Sequence, residues 1–93
     1  MYQAVQSAKF RRSLKRVSQY RNFDGDELER IIDLLRTNQP LDQRHYDHEL
    51  KGEYRGIREC HIRNDLLLLY QKKDNILVLL LVDIGTHASV FGK

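Results

Sequence analysis

Tryptophan is absent from the 93 residues, and cysteine, proline and methionine occur once each. A lone Cys60 has no partner for an intrachain disulfide, and no multi-cysteine zinc cage can be assembled. With a single proline and no Gly-, Ser- or Pro-rich stretch there is no candidate linker, so residues 1–93 are expected to form one domain. Nothing like a secretion leader opens the chain, and the apolar runs at 66–69 and 76–82 are far short of the ~20 residues of a membrane span. The expectation is a soluble protein of a reducing compartment with no membrane partner. Acids are also missing from the whole N-terminal quarter. Before Asp24 every charged residue is basic (Lys9, Arg11, Arg12, Lys15, Arg16, Arg21), giving the first 23 residues +6. The remaining 70 hold ten basic and thirteen acidic residues, net −3. Such asymmetry fits a polyanion, nucleic acid above all, or an acidic protein; the plain alternative is a solvated basic helix face.

Hydrophobic residues at 41% and charged residues at 31% are a globular balance. Residues 7–21 read as a helix, capped by Ser7, with Phe10, Leu14 and Val17 on one stripe. Residues 24–38 read as a second: Asp24 and Glu27 match a capping box, Leu28, Ile31, Ile32 and Leu35 form an apolar face, and Asn38 and Pro40 stop it. The short turn at 22–24 predicts a helical hairpin. Residues 41–53 lack periodicity and read as a surface loop anchored by Leu41 and Leu50. Tyr54 to Ile62 reads as a strand, with Ile57, Glu59, His61 and Arg63 on one face and Arg58, Cys60 and Ile62 on the other. Leu66–Tyr70 and Ile76–Val82 flank a turn at 72–75 and are apolar enough to be central strands; a strand at 2–6 is only weakly signalled. The predicted fold is α+β, with two N-terminal helices packed on one face of a small antiparallel β-sheet.

The chemistry-bearing residues are the histidines. His45 and His48 lie in the loop, His61 on a strand and His87 after the last strand, with Asp65 in a turn. A small sheet can bring these segments to one edge, where imidazoles supply acid and base near neutrality without a metal. Scattered surface histidines are the bland alternative. His45 and His48 with His61 or His87 would be a zinc set, but their loop placement argues against it, so no metal and no cofactor are expected. Cys60 falls on the core face, where cysteine is an inert small hydrophobe. Lys51 and Arg55 could hold phosphate, and Phe91, beyond the flexible Gly85-Thr86-His87, could stack on a base or simply anchor the C-terminus.

Several of these segments together carry a family resemblance. His48-Glu49-Leu50-Lys51-Gly52, the run from Tyr54 to Ile62, Asp65, Tyr70 and the run from Gly85 to Gly92 closely resemble the YafQ-type toxins of the RelE/ParE toxin–antitoxin superfamily. The resemblance implies a RelE/ParE-like fold and a bacterial cytoplasmic endoribonuclease that cleaves messenger RNA in the ribosomal A site. It further implies inhibition by a cognate antitoxin, with DNA contact only through the antitoxin complex. His48, His61, Asp65, His87 and Phe91 match the family's active-site motif. The implied reaction is metal-free attack of a ribose 2′-hydroxyl on the adjacent phosphate, with His87 as acid, His48 or Asp65 as base and His61 as orienter or charge stabiliser. Two positions depart from the family. Asp83 stands where many members carry arginine, and Leu66 where members often carry tryptophan. A carboxylate facing the phosphate would repel it, so Asp83→Arg is expected to raise cleavage if Asp83 faces the site. Two other readings share the resemblance: an antitoxin-binding protein with little or no nuclease activity, and a ParE-like toxin directed at DNA gyrase.

Overall fold

In the computed structural model, which describes residues 1–92, the chain opens with a four-residue strand, β1 (Gln3–Gln6). Ser7 then stops the strand and starts α1 (Ala8–Val17), its side-chain oxygen accepting from the Phe10 N–H at 2.9 Å. Helix α2 (Gly25–Arg36) starts at Asp24, whose carboxylate accepts from the Glu27 N–H at 3.1 Å. Only this half of the expected capping box forms. The Glu27 carboxylate is taken by Arg30, at 2.7 and 2.9 Å, instead of reaching back to the helix start. Both helices end earlier than the sequence suggests, and 18–22 is a run of turns.

The expected loop at 41–53 is more ordered than its composition implies. It contains a 3-10 turn at Gln43–His45 and a two-residue strand, β2 (His48–Glu49), before a second 3-10 turn at Gly52–Tyr54. Strands β3 (Arg58–Arg63), β4 (Leu66–Lys73) and β5 (Val78–Gly85) follow as an antiparallel meander. The β4–β5 turn falls two residues later than expected, leaving Ile76 and Leu77 exposed, with Leu77 at φ +53. The strand order is β1-β5-β4-β3-β2, with β1 parallel to β5, so the sheet is mixed and not purely antiparallel. All four β1 residues are exposed, and that is why no alternation advertised the strand.

Helices α1 and α2 cover one face. Phe10, Val17, Leu28, Ile31 and Leu35 pack there against Cys60, Ile62, Leu68, Tyr70, Leu79, Leu81 and Ile84. Burying each large apolar side chain contributes ~1.5–3 kcal/mol. The other face carries a smaller cluster, Leu67, Leu69 and Val90, closed over by Leu50, Ile57, Val82 and Phe91. Val90 and Phe91 come from a short helix, α3 (His87–Phe91), which starts within the turn expected at 85–87 and has no counterpart in the sequence reading. Thr86 and Ser89 form a full capping box, and Gly92 ends the helix at φ +72. Gly85 permits the tight approach: a Cβ there would collide with the Ser89 hydroxyl. Among the described residues no helix is long and apolar enough to cross a membrane.

Candidate active site

The face that α3 shares gathers most of the sequence-predicted site residues. Strand alternation sends Cys60 and Ile62 into the helical core and leaves Glu59 and His61 on the opposite face. Burial pushes the Cys60 thiol pKa well up, so it has no role as a nucleophile. Arg63, expected beside His61, is not there. The ladder slips between His61 and Arg63, and the Arg63 guanidinium donates to Asp24 at 2.9 Å.

His48 is aimed from the next strand. Asp47 is held by Tyr70, whose hydroxyl donates to it at 2.6 Å, and by Arg58 at 3.4 Å. Its neighbours Tyr46 and His48 turn together, their rings 4.5 Å apart, and Tyr46 sits at φ +46. The His48 Nδ1–H donates to the Tyr46 carbonyl at 2.8 Å. A carbonyl cannot donate, so neutral His48 carries its proton on Nδ1 and presents a bare Nε2. That Nε2 lies 3.9 Å from Glu59, and the His61 Nε2 lies 3.2 Å from the same carboxylate oxygen.

His87 enters as the first residue of α3. Its Nδ1–H donates to Asp65 at 2.8 Å, and its backbone N–H reaches the same oxygen at 3.3 Å. The side-chain bond first, and the backbone bond second, hold the Asp65 pKa below the usual carboxylate value. Asp65 is therefore the ionised acceptor that orients His87 through Nδ1 and leaves Nε2 out of that bond. The His61 and His87 rings meet edge-on at 5.8 Å, and Phe91 lies 6.1 Å from His87 and edge-on to Tyr54 at 5.1 Å.

Three expectations fare differently. Lys51 and Arg55 are exposed on the loop that carries Tyr54, and no polar contact ties either to the histidines among the described residues. His45 is buried behind β3, where its Nδ1–H donates to the His61 carbonyl at 2.7 Å and its Nε2 accepts from Arg30 at 3.0 Å. It supports the strand and is withdrawn from the site. Asp83, set against the arginine of relatives, does not face the site. It is buried under α1, accepting from Ser13 at 2.6 Å and from its own strand at Ile84 N–H, with Lys9 3.7 Å away.

Glu59 is the residue that sequence reasoning passed over. Alternation had put it on the His61 face, but a carboxylate on a strand reads as solvated, and here it is 4% exposed between two histidines. Glu59, His61 and His87 each offer one ligand atom, all within 4.8 Å of one another, a donor set that suits a borderline divalent ion.

Residues 2–92 match the family described as the bacterial toxin of type II toxin-antitoxin system, YafQ. The mRNA interferase toxin YafQ of Escherichia coli K12 is 35% identical over 78 residues, 83% of each chain. A metal-bound toxin from Helicobacter pylori superposes with a TM-score of 0.90 at 40% identity, over 98% of this chain and 100% of that one. The toxin chain of the E. coli DinJ-YafQ complex superposes with a TM-score of 0.86 at 30% identity, over 99% of this chain and 100% of that one.

Proposed function

The chain belongs to the YafQ family of toxins of type II toxin–antitoxin systems and is an mRNA interferase, an endoribonuclease, and we propose that it cuts message held in the ribosomal A site by metal-free acid–base chemistry. One observation carries the chemical reading: His87 is pinned through Nδ1 to an ionised Asp65 while His48 is pinned through Nδ1 to a carbonyl, so two Nε2 atoms are left for proton transfer. His48 Nε2 takes the proton of the ribose 2′-hydroxyl as that oxygen attacks the adjacent phosphorus. The bond from phosphorus to the 5′-oxygen breaks, and the His87 imidazolium delivers its Nε2 proton to the departing oxygen. The products are a 2′,3′-cyclic phosphate and a free 5′-hydroxyl. His61, beside the Glu59 carboxylate, holds positive charge against the phosphoryl oxygens. Asp65 orients the acid and is not the base. Phe91, braced by Tyr54, offers a stacking face. Lys51 and Arg55 supply long-range attraction for the backbone without a fixed contact.

The same family membership gives the protein a cognate antitoxin as partner, and its place of work is the bacterial cytoplasm, where ribosomes are. The +6 N-terminal segment suits ribosomal RNA when the antitoxin is gone. Neither a binding-only protein nor a gyrase-directed toxin requires two histidines held in fixed tautomers, and this favours the nuclease over both.

The test is toxin released from its antitoxin complex and added to a translating extract, with cleavage mapped on the message. Wild type should cut ribosome-bound message, and His87→Ala should lower the rate by ~10²–10⁴-fold while melting like wild type. Full activity in both His87→Ala and His48→Ala would overturn the assignment. Equal cutting of ribosome-free message would remove the A-site component.

A further inference from the structure

Asp65 belongs to a second neighbourhood besides that of His87. With Thr86, the cap of α3, it lines one end of a cavity of ≈210 Å³ whose other walls include Tyr20, Arg21, Asn22, Arg63 and Asn64. None of these five takes part in the reaction described above. Tyr20 is 44% exposed, and its position is fixed by the backbone: its N–H donates to Val17 at 2.9 Å, and its carbonyl accepts from Phe23 at 3.1 Å. The charges facing the cavity are Arg21, Arg63 and Asp65. Arg63 is paired with Asp24 and Asp65 is engaged by His87, so of the charges lining this cavity Arg21 is the one that no ion pair engages among the described residues. Asp26 lines the adjoining, wider cavity and not this one.

We propose that this cavity is a nucleotide subsite, receiving the base of a residue that flanks the cleaved linkage in single-stranded RNA; the proposal rests on the nuclease reading. An exposed aromatic ring, a free guanidinium and two side-chain amides make up the recognition chemistry of an unpaired nucleotide. The ring stacks on any base, the cation meets its phosphate, and Asn22 and Asn64 can bond to base edges. The volume accommodates one base and excludes a folded helix. Its wall runs through Asp65 to the residue that donates the proton, so one strand of RNA can occupy both places at once.

The test uses toxin freed from its antitoxin and a fluorescein-labelled 2′-O-methyl RNA nonamer, which binds but cannot be cleaved because its 2′-oxygens are blocked. Tyr20→Ala should weaken nonamer binding ~10-fold, and Tyr20→Phe should bind like wild type because the stacking face is kept. Arg21→Gln should reduce the salt dependence by about one phosphate contact. On ribosome-bound message Tyr20→Ala should raise KM and leave kcat unchanged. The proposal is overturned if wild type does not bind the nonamer, if Tyr20→Ala binds within twofold of wild type, or if Tyr20→Phe loses as much as alanine. It is also overturned if Tyr20→Ala weakens antitoxin binding and not nonamer binding, which would assign the cavity to the antitoxin. The two readings fail separately. Nonamer binding through Tyr20 without any cleavage by wild type would remove the nuclease and keep the subsite. Cleavage indifferent to Tyr20→Ala would do the reverse.

Discussion

The Ser13 hydroxyl donates to the Asp83 carboxylate at 2.6 Å, joining α1 to β5 at a point where both residues are buried. The carboxylate also accepts from the Ile84 N–H at 2.8 Å and has the Lys9 ammonium 3.7 Å away. Asp83, expected to repel phosphate if it faced the site, is thus a tether under the helix, held by α1 and its own strand. Asp83→Arg would strand the Ser13 hydroxyl and force a cation into the same space, so it should destabilise by roughly 3–5 kcal/mol and raise no activity. Asp83→Ala should cost about 2 kcal/mol, from the donors it leaves unsatisfied. Thermal melting checks both. A stable and more active Asp83→Arg would show that the side chain can swing out to the substrate.

The Asp65–His87 pair gives a sharper prediction. Asp65→Asn keeps the size of the side chain but loses the negative acceptor that holds Nδ1–H. Cleavage should fall by as much as ~10⁴-fold, as when the carboxylate that fixes a catalytic histidine's tautomer becomes an amide, with little change in melting because both side chains are more than half exposed. Asp65→Glu should recover little, since the longer side chain cannot also meet the His87 backbone N–H. An unaffected rate in Asp65→Asn would return Asp65 to the protein surface.

What was legible in the sequence follows from how each feature is encoded. The helices and the meander were readable because burial leaves a period, as in Leu28, Ile31 and Leu35 or Cys60 and Ile62. That His48, His61, Asp65 and His87 gather on one face was legible mainly from their motif context; periodicity placed only His61. Strand β1 was obscured because an exposed edge strand leaves no pattern, and α3 because five residues are too few for one. Its signals were local, Thr86 three residues before Ser89 and Gly92 after the last turn. Asp83 and His45 show the other limit. Each is a polar residue whose role depends on a partner far along the chain, Ser13 for one and the His61 carbonyl for the other, and no local pattern names that partner.

Acid stability should report on Glu27. Its hydrogen bonds from Arg30, with Arg44 nearby, lower its pKa to about 2 from an ordinary value of 4.5. A depressed carboxylate pKa means that the unfolded chain binds the proton first. The stabilisation is therefore complete above 4.5 and is lost as pH falls from there towards 2. Glu27→Gln should lower the melting temperature at pH 7 and flatten its decline across that acid window. Parallel curves for the two proteins would mean that other carboxylates set the acid limit.

Metal ions should inhibit and chelators should not. Glu59, His61 and His87 can close on one ion, and a metal held there would compete with the proton transfer proposed for His87. Cleavage by EDTA-treated toxin should match that by untreated toxin, and added Zn²⁺ should lower it in a way that EDTA reverses. Loss of cleavage on chelation, restored by Zn²⁺, would replace the acid–base reading with a metal-assisted one.

The antitoxin should find the toxin through the charge of α1. Arg12, Lys15 and Arg16 are exposed, and no ion pair engages them among the described residues, whereas Lys9 stands beside Asp83 and Arg11 donates to the Gln6 carbonyl. Reversal at Lys9 would therefore disturb the tether under α1 as well as the surface, so Arg12, Lys15 and Arg16 are the informative positions. Between α1 and α2 an apolar groove of ≈590 Å³ is lined by Leu14, Phe23, Leu28 and Ile32, with two cations, Arg11 and Lys15, against one acid, Glu29, also on its wall. An acidic amphipathic segment would be drawn in by the cations and retained by the groove. Changing Arg12, Lys15 and Arg16 to glutamate should slow association by at least ~10-fold at low salt, with most of the difference erased at high salt. Dissociation should change less, because Leu14, Phe23, Leu28 and Ile32 are kept and only Lys15 of the three stands on the groove wall. Stopped-flow mixing of toxin and antitoxin across a salt series measures both rates. An association rate indifferent to the triple reversal would mean that the basic face of α1 is only solvated, and that the antitoxin arrives by another surface.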